Sequence, residues 1–409
     1  MSVHPTHGWA SGPVPGIGAG NGNGCPCACL GGNPGPIPVG EITKAGGKYL
    51  TLENERILEY YVYGATDSDG AKVLLQFGGN FSTGYSFFAL KELDTKLKEL
   101  NIKGVAISLP GVGFSTMNYD ANLYDFCKND VGKVLEKEKP VGEEDGAYKF
   151  LVDGTSNGTM VAMGVAHAFS ERILHLYLNV PWFNREVAAE ETPHVSVTDY
   201  YLPGQDSCVS SSSLRSCKGS CVFCIVCCCS MQTCCLKECD VHPADKAEIP
   251  DIGKIQLEDT KRAFGHNRGG ACLSQVFAGK APGFDIREIA NPKDPTRVAV
   301  KGKNKVLITF ATNDAEAPPD QARYLIKLFD ASYMVGDGNT LNPKLKDGHS
   351  FWITRLYKGL TADLQNKMIL NAPELQTMLV TDQNTPCVNE YFSVPVPESH
   401  SLEMQMKKK

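Results

Sequence analysis

Apolar positions in residues 41–181 come in short runs divided by glycine-rich turns. KYLTLENERILEYYVYG carries apolar residues on both sides of a polar centre at Glu53-Asn54, which predicts two strands around a turn. AKVLLQF (71–77) and GVAISL (104–109) are short apolar runs, the pattern of strands covered on both faces. Between them Phe88, Leu93, Leu97 and Leu100 recur at helical spacing. YKFLVD (148–153) predicts a further strand, a helix of small residues follows from Asn157, and ILHLYLNV (173–180) predicts the next strand. Strands that alternate with helices imply a mostly parallel central sheet flanked by helices on both faces.

That rhythm stops at residues 182–300, which are polar, proline-containing and cysteine-rich. It resumes with KVLITFAT (305–312) and the helical pattern DQARYLIKLFD (320–330). The expected organisation is a Gly/Pro-rich tail over 1–40, a first core part over 41–181, an inserted cap over 182–300, a second core part over 301–372 and a C-terminal tail over 373–409. Apolar residues make up 42% of the 409-residue chain, enough for one large core. A net charge of −6 is mild for this length and gives no basic face, so nucleic acid is not an expected partner. No 18-residue uncharged apolar run appears, so a transmembrane helix is not expected. No basic patch followed by an apolar stretch opens the chain, so the expected location is cytoplasmic.

Of sixteen cysteines, ten lie between Cys208 and Cys239. A large chain with no export signal points to reduced thiols rather than a disulfide framework. Cys217-x3-Cys221-x2-Cys224-x2-Cys227 has spacings that a metal or iron–sulfur site uses. The adjacent runs Cys227-Cys228-Cys229 and Cys234-Cys235 cannot all converge on one tetrahedral ion, so no metal is expected. The Cys-rich loop 208–239 is read as an irregular part of the cap. Reversible acylation beside VFCIV, with peripheral membrane contact, is the other use such a loop suits.

The chemistry concentrates in KFLVDGTSNGTMVAMGVAHAF, which contains Gly154-Thr155-Ser156-Asn157-Gly158, a G-x-S-x-G pattern. An apolar strand leads in, and a helix with Ala162, Gly164, Ala166 and Ala168 leads out. A serine at such a turn adopts a strained backbone, and glycines two residues either side let strand and helix approach closely. The backbone N–H of Asn157, at the helix start, then points where an oxyanion forms. A serine at neutral pH needs a base, and the base needs an orienting acid. Asp314, two residues past the strand ending at Thr312, is the expected acid, with Glu316 its nearest competitor. His349, after Gly348, is the only histidine between Asp314 and the tail that holds His400. His167 and His175 flank the serine's helix and the following strand and are assigned to packing.

On these residues the chain resembles the α/β-hydrolase superfamily over about 48–181 and 300–365. YYVYGATDSDGAKVLLQFGGNFSTG is similar to the opening strands and oxyanion turn of its capped esterase, epoxide-hydrolase and dehalogenase branch. ISLPGVGFST is similar to the next strand and loop. The resemblance implies an α/β-hydrolase fold with an inserted cap, a second oxyanion N–H from Asn80, and the chain order Ser156, Asp314, His349. Two positions depart from the family pattern: Gly78-Gly79 stands where His-Gly is common, and Ser108 where an acid usually precedes Leu-Pro-Gly. The family's epoxide hydrolases and haloalkane dehalogenases carry an aspartate at the nucleophile position, so Ser156 favours acyl transfer.

The expected activity is therefore hydrolysis of a small-molecule acyl substrate, ester-like, with no cofactor. Trp182, Phe183, Tyr200 and Tyr201 either line its pocket or pack the cap onto the sheet. The reading from a different class is a ligand-binding, receptor-like module with little turnover.

Overall fold

The alternating strand and helix signals form, in a computed structural model, one eight-stranded sheet ordered β1-β2-β4-β3-β5-β6-β7-β8. The structure describes residues 36–66, 68, 70–79, 82–116, 122–140, 142–144, 146, 148–183, 252–265, 283–311, 317 and 319–336. The strands are β1 (Lys48–Thr51), β2 (Ile57–Gly64), β3 (Lys72–Phe77), β4 (Ile102–Ile107), β5 (Phe150–Thr155), β6 (Ile173–Asn179), β7 (Val306–Ala311) and β8 (Ser332–Gly336). β1 pairs β2 and β2 pairs β4 antiparallel; the remaining pairings are parallel. The strands predicted around Glu53-Asn54 are β1 and β2, joined through a short 3-10 turn at Glu53–Glu55.

The helices are α1 (Val39–Lys44), α2 (Tyr85–Phe88), α3 (Lys91–Glu99), α4 (Leu123–Asp125), α5 (Gly132–Lys137), α6 (Gly158–Ala168), α7 (Ile252–Gly265), α8 (Arg287–Ala290) and α9 (Pro319–Phe329). A π-helical segment, Phe126–Val131, links α4 to α5. The helical repeat predicted from Phe88 to Leu100 divides between α2 and α3, because Leu90 is extended (φ −85°, ψ 96°).

Strand periodicity sends alternate side chains to opposite faces, and each face builds its own core. On one face Leu93 and Leu97 of α3, four residues apart, close over Leu74, Ile102, Ala106 and Leu151. On the other, Leu75, Val152 and Leu178 pack beneath Met160 and Val161 of α6, with Phe126, Ile289 and Phe329 from the flanking helices. Ile286, Ile289, Ala290 and Val300 belong to this core, although the sequence groups 283–300 with the insertion. Described residues of α6 from Gly158 to His167 are buried throughout, which matches its lack of a charged face. Cys127 is a buried free thiol whose pKa burial pushes well up, and it serves packing beside α6. No helix among the described residues is long and apolar enough to cross a membrane. The Cys-rich loop 208–239, residues 1–35 and residues 337–409, which include the end of the expected second core part and the C-terminal tail, lie outside the described residues.

Candidate active site

β3 leads to β4 on one side, and the chain then returns to place β5 on the other side of β3. In open α/β sheets ligands bind outside the carboxyl ends of the strands at such a reversal, which here lies between β3 and β5. Gly78-Gly79 leave β3 at that point, and Ser156 leaves β5. Ser156 has φ +51°, a left-handed conformation that costs a non-glycine residue on the order of 1 kcal/mol or more. Val180, one residue past β6 on the same edge, has φ +41°.

Close packing holds the Ser156 turn in place. A Cβ on Gly154 would lie 2.5 Å from the Gly158 carbonyl oxygen and 2.7 Å from Ala162 Cβ. A Cβ on Gly158 would lie 2.3 and 2.4 Å from the carbonyl oxygens of Phe77 and Gly78. The two motif glycines thus let α6 touch β5 behind and β3 beside. Gly79 completes the approach, since a Cβ there would be 3.1 Å from Ser156 Cβ. The Ser156 N–H donates to the Asn179 carbonyl at 2.9 Å, and the Ser156 carbonyl accepts the Thr159 N–H at 3.0 Å. The Thr159 hydroxyl is 2.6 Å from the carbonyls of both Ser156 and Trp182, and it accepts the Trp182 N–H at 3.0 Å.

Asn157 begins α6, whose first N–H groups have no acceptor within the helix. Its side-chain Oδ1 is buried with no partner among the described residues. Of the other expected site residues, Asn80, Asp314, His349, Tyr200, Tyr201 and the competing Glu316 lie outside the described residues. Phe183 is fully buried in the main core, 5.6 Å from the Tyr324 ring, and its N–H donates to Gln321 Oε1 at 3.1 Å. Trp182 is partly buried and packs on Val180 and Ala317.

Beneath this edge runs a row of buried polar side chains that the motif does not announce. Tyr63 on β2 bonds Gln76 on β3. Gln76 Nε2 donates to Asp153 Oδ2 at 3.1 Å, and Asn179 Nδ2 donates to Asp153 Oδ1 at 3.0 Å. Thr309 Oγ1 donates to Asn179 Oδ1 at 2.6 Å. Burial outweighs the two amide donors and pushes Asp153 up to about 7. The signal was in the sequence: Gln76, Asp153, Asn179 and Thr309 are polar interruptions near the carboxyl ends of otherwise apolar strands.

Two further loops meet at this edge. Glu59 on β2 is fully buried, and its carboxylate accepts from Tyr61 Oη at 2.7 Å and the Phe114 N–H at 3.1 Å. Arg262 on α7 donates to Tyr61 Oη at 2.6 Å and approaches Glu59 Oε1 to 3.6 Å. Ser108, where the resemblance calls for an acid, accepts the Gly84 N–H at 3.0 Å. The buried acid serving the loop after β4 is instead Glu59, donated by the neighbouring strand.

A mostly parallel sheet with helices on both faces and a strained serine between strand and helix at its carboxyl edge defines the α/β-hydrolase fold of this chain. No protein-family model matches the sequence, and no curated protein matches it. Among solved structures, it is similar to a hydrolase from Pseudomonas aeruginosa at 13% identity, with TM-score 0.48 over 80% of this chain and 98% of that one. It is also similar to an esterase from Exiguobacterium antarcticum at 13% identity, with TM-score 0.49 over 78% of this chain and 99% of that one. A bromoperoxidase from Bacillus anthracis is similar at 14% identity, with TM-score 0.49 over 80% and 99% of the two chains.

Proposed function

We propose that the protein is a serine hydrolase acting on small-molecule acyl substrates, ester-like in the first instance. The observation that carries this reading is Ser156 at φ +51° on the carboxyl edge of β5, packed closely against Gly79 at the end of β3. Positive φ also occurs at turn residues such as Glu55 and Asp330, but Ser156 alone of these stands in a G-x-S-x-G turn between strand and helix, the setting that lifts a nucleophile out of the sheet. His349 accepts the Ser156 proton as Oγ attacks the substrate carbonyl, while Asp314 orients the imidazole and stabilises its charged form. The N–H groups of Asn157 and Asn80 receive the oxyanion, each contributing about 3 kcal/mol in the transition state. The tetrahedral intermediate collapses, the leaving group takes the proton from His349, and an acyl-Ser156 ester remains. Water, deprotonated by His349, then releases the acid and returns the proton to Ser156.

The test is labelling by a fluorophosphonate, which phosphonylates only an activated serine. Native protein is expected to label, while Ser156→Ala and heat-denatured protein are not. Turnover of short acyl esters by Ser156→Ala should fall by several orders of magnitude with folding intact. Well-folded native protein that neither labels nor turns over esters would reject this reading in favour of a ligand-binding module.

A further inference from the structure

The segment between β6 and β7 contributes α7, and this helix grips the active-site edge with polar contacts. Asp259 is 3% exposed, and its carboxylate faces the residues that follow Gly79 in the chain. It accepts from Ser82 Oγ at 2.8 Å, from the Thr83 N–H at 3.1 and 3.2 Å, and from Thr83 Oγ1 at 2.5 Å. One residue earlier, Glu258 accepts from Tyr85 Oη at 2.9 Å. On the same helix Arg262 lies 4.7 Å from the Tyr85 ring centre, and the Ala263 carbonyl accepts the Gly113 N–H at 3.1 Å.

The gripped segment reaches the nucleophile over a short span. Ser82 donates its N–H to the Gly79 carbonyl at 3.2 Å, and Gly79 packs against Ser156. Its far end is fixed to the sheet, because a Cβ on Gly84 would lie 2.3 Å from the Ala106 carbonyl oxygen. Between those anchors, Asp259 holds Ser82 and Thr83 from α7, while Ser86 Oγ, 2.8 Å from Ser82 Oγ and donating to the Thr83 carbonyl at 3.0 Å, braces them from within the segment. Burial pushes Asp259 up to about 7; above that pH its carboxylate is an acceptor only, and the hydroxyls and N–H around it are all donors. Removing it strands a buried N–H that must move to find water or another acceptor.

We propose that Asp259 is a positioning residue for the Gly79 side of the active site: through Ser82 and Thr83 it sets how closely that turn approaches Ser156. Asp259 thereby governs turnover from α7, through Ser82 and Thr83 rather than through the reacting atoms. This rests on the serine-hydrolase reading for its catalytic consequence, while the grip itself can be read without any substrate.

The experiment compares Asp259→Ala, Asp259→Asn and Lys261→Ala, an exposed neighbour on α7, by ester kinetics and by amide hydrogen exchange. Asp259→Ala is expected to lower kcat by about tenfold or more, with KM within about twofold, because a displaced turn weakens the transition state rather than binding. Exchange over 82–88 should accelerate while β5 and β6 stay protected. Asp259→Asn retains an acceptor for Thr83 and can donate to Ser82 Oγ, so it should recover most of the lost kcat. Lys261→Ala should match the native protein in both readouts. If Asp259→Ala does not fold, Asp259→Asn decides, with a partial loss of kcat and faster exchange over the same residues. Native kcat or native exchange in folded Asp259→Ala, or in Asp259→Asn where the alanine variant does not fold, overturns the proposal. Native protein without Ser156-dependent turnover rejects the hydrolase reading instead, and the exchange data still decide whether Asp259 holds the turn.

Discussion

At the scale of single residues, the G-x-S-x-G motif is a statement about van der Waals contact. Gly158 has no positive φ in the structure, so its requirement is for space alone. A methyl group there would meet the Phe77 and Gly78 carbonyl oxygens at 2.3 and 2.4 Å, both part of the backbone and unable to swing aside. Gly158→Ala must therefore push α6 away from β3, at about 3 kcal/mol for forced overpacking. The same push widens the gap between Ser156 and Gly79, so fluorophosphonate labelling should slow as well. Gly40→Ala in α1, with nothing within 4 Å of the new methyl, is the clash-free control and should stabilise by about 0.4–1 kcal/mol. Urea unfolding of the two variants checks the first expectation. Equal midpoints would mean that α6 can shift without cost.

At the scale of elements, legibility follows how much of an element's identity is local. β3, β5, β6 and β7 were readable because a buried parallel strand must be apolar along its length, and a few residues suffice to show it. The Ser156 turn was readable because its two glycines stand two residues either side of the serine, although the contacts that require them reach Ala162 and, across the sheet, Phe77 and Gly78. β8 at Ser332–Gly336 is five residues with a serine, a tyrosine and a glycine, and only pairing with β7 identifies it. Helices α4 and α5, with the π segment between them, are short pieces held by packing on α6 rather than by a long periodic face. The grip of Asp259 on Thr83 was invisible for a further reason: the partners are 176 residues apart, and an aspartate on a mixed-charge helix carries no mark of burial. α3 shows the opposite case. Leu97 is fully buried where Gly64 and Gly104 leave room for it, its Cβ lying 2.7 Å from a Cβ built on Gly64. Leu97→Ala should cost about 3 kcal/mol in urea unfolding, since two glycines cannot fill the space it vacates.

At the scale of the whole molecule, four buried titratable groups among the described residues oppose one another in their contribution to the pH dependence of stability. Burial is the first cause in four cases: it pushes Asp153 and Asp259 up to about 7, and His167 and His175 down to about 4 and about 3. Between about pH 5 and 6 the unfolded chain has ionised its aspartates and protonated its histidines. In that window each folded aspartate holds a proton that the unfolded chain lacks, so it lowers stability as pH rises, by about 1.4 kcal/mol per pH unit. Each folded histidine lacks a proton that the unfolded chain holds, so it raises stability with pH by about the same amount. Two terms of each sign cancel. Acids whose pKa is lowered on folding, such as Glu138 and Asp285, act only at lower pH, where the unfolded chain begins to bind protons. Single substitutions should therefore tilt an otherwise flat contribution in opposite directions. Asp153→Asn removes one falling term, and the slope of stability against pH should rise by about 1.4 kcal/mol per unit relative to the native protein. His175→Leu removes one rising term and should shift the slope down by the same amount. It should also add about 1–3 kcal/mol near pH 7, because neither nitrogen of His175 has a partner among the described residues. Urea midpoints at several pH values across the window, with m unchanged, read all three quantities. Parallel lines for native protein and both variants would show that these side chains titrate in the folded protein as they do in water, and that water reaches the polar row beneath the Ser156 edge.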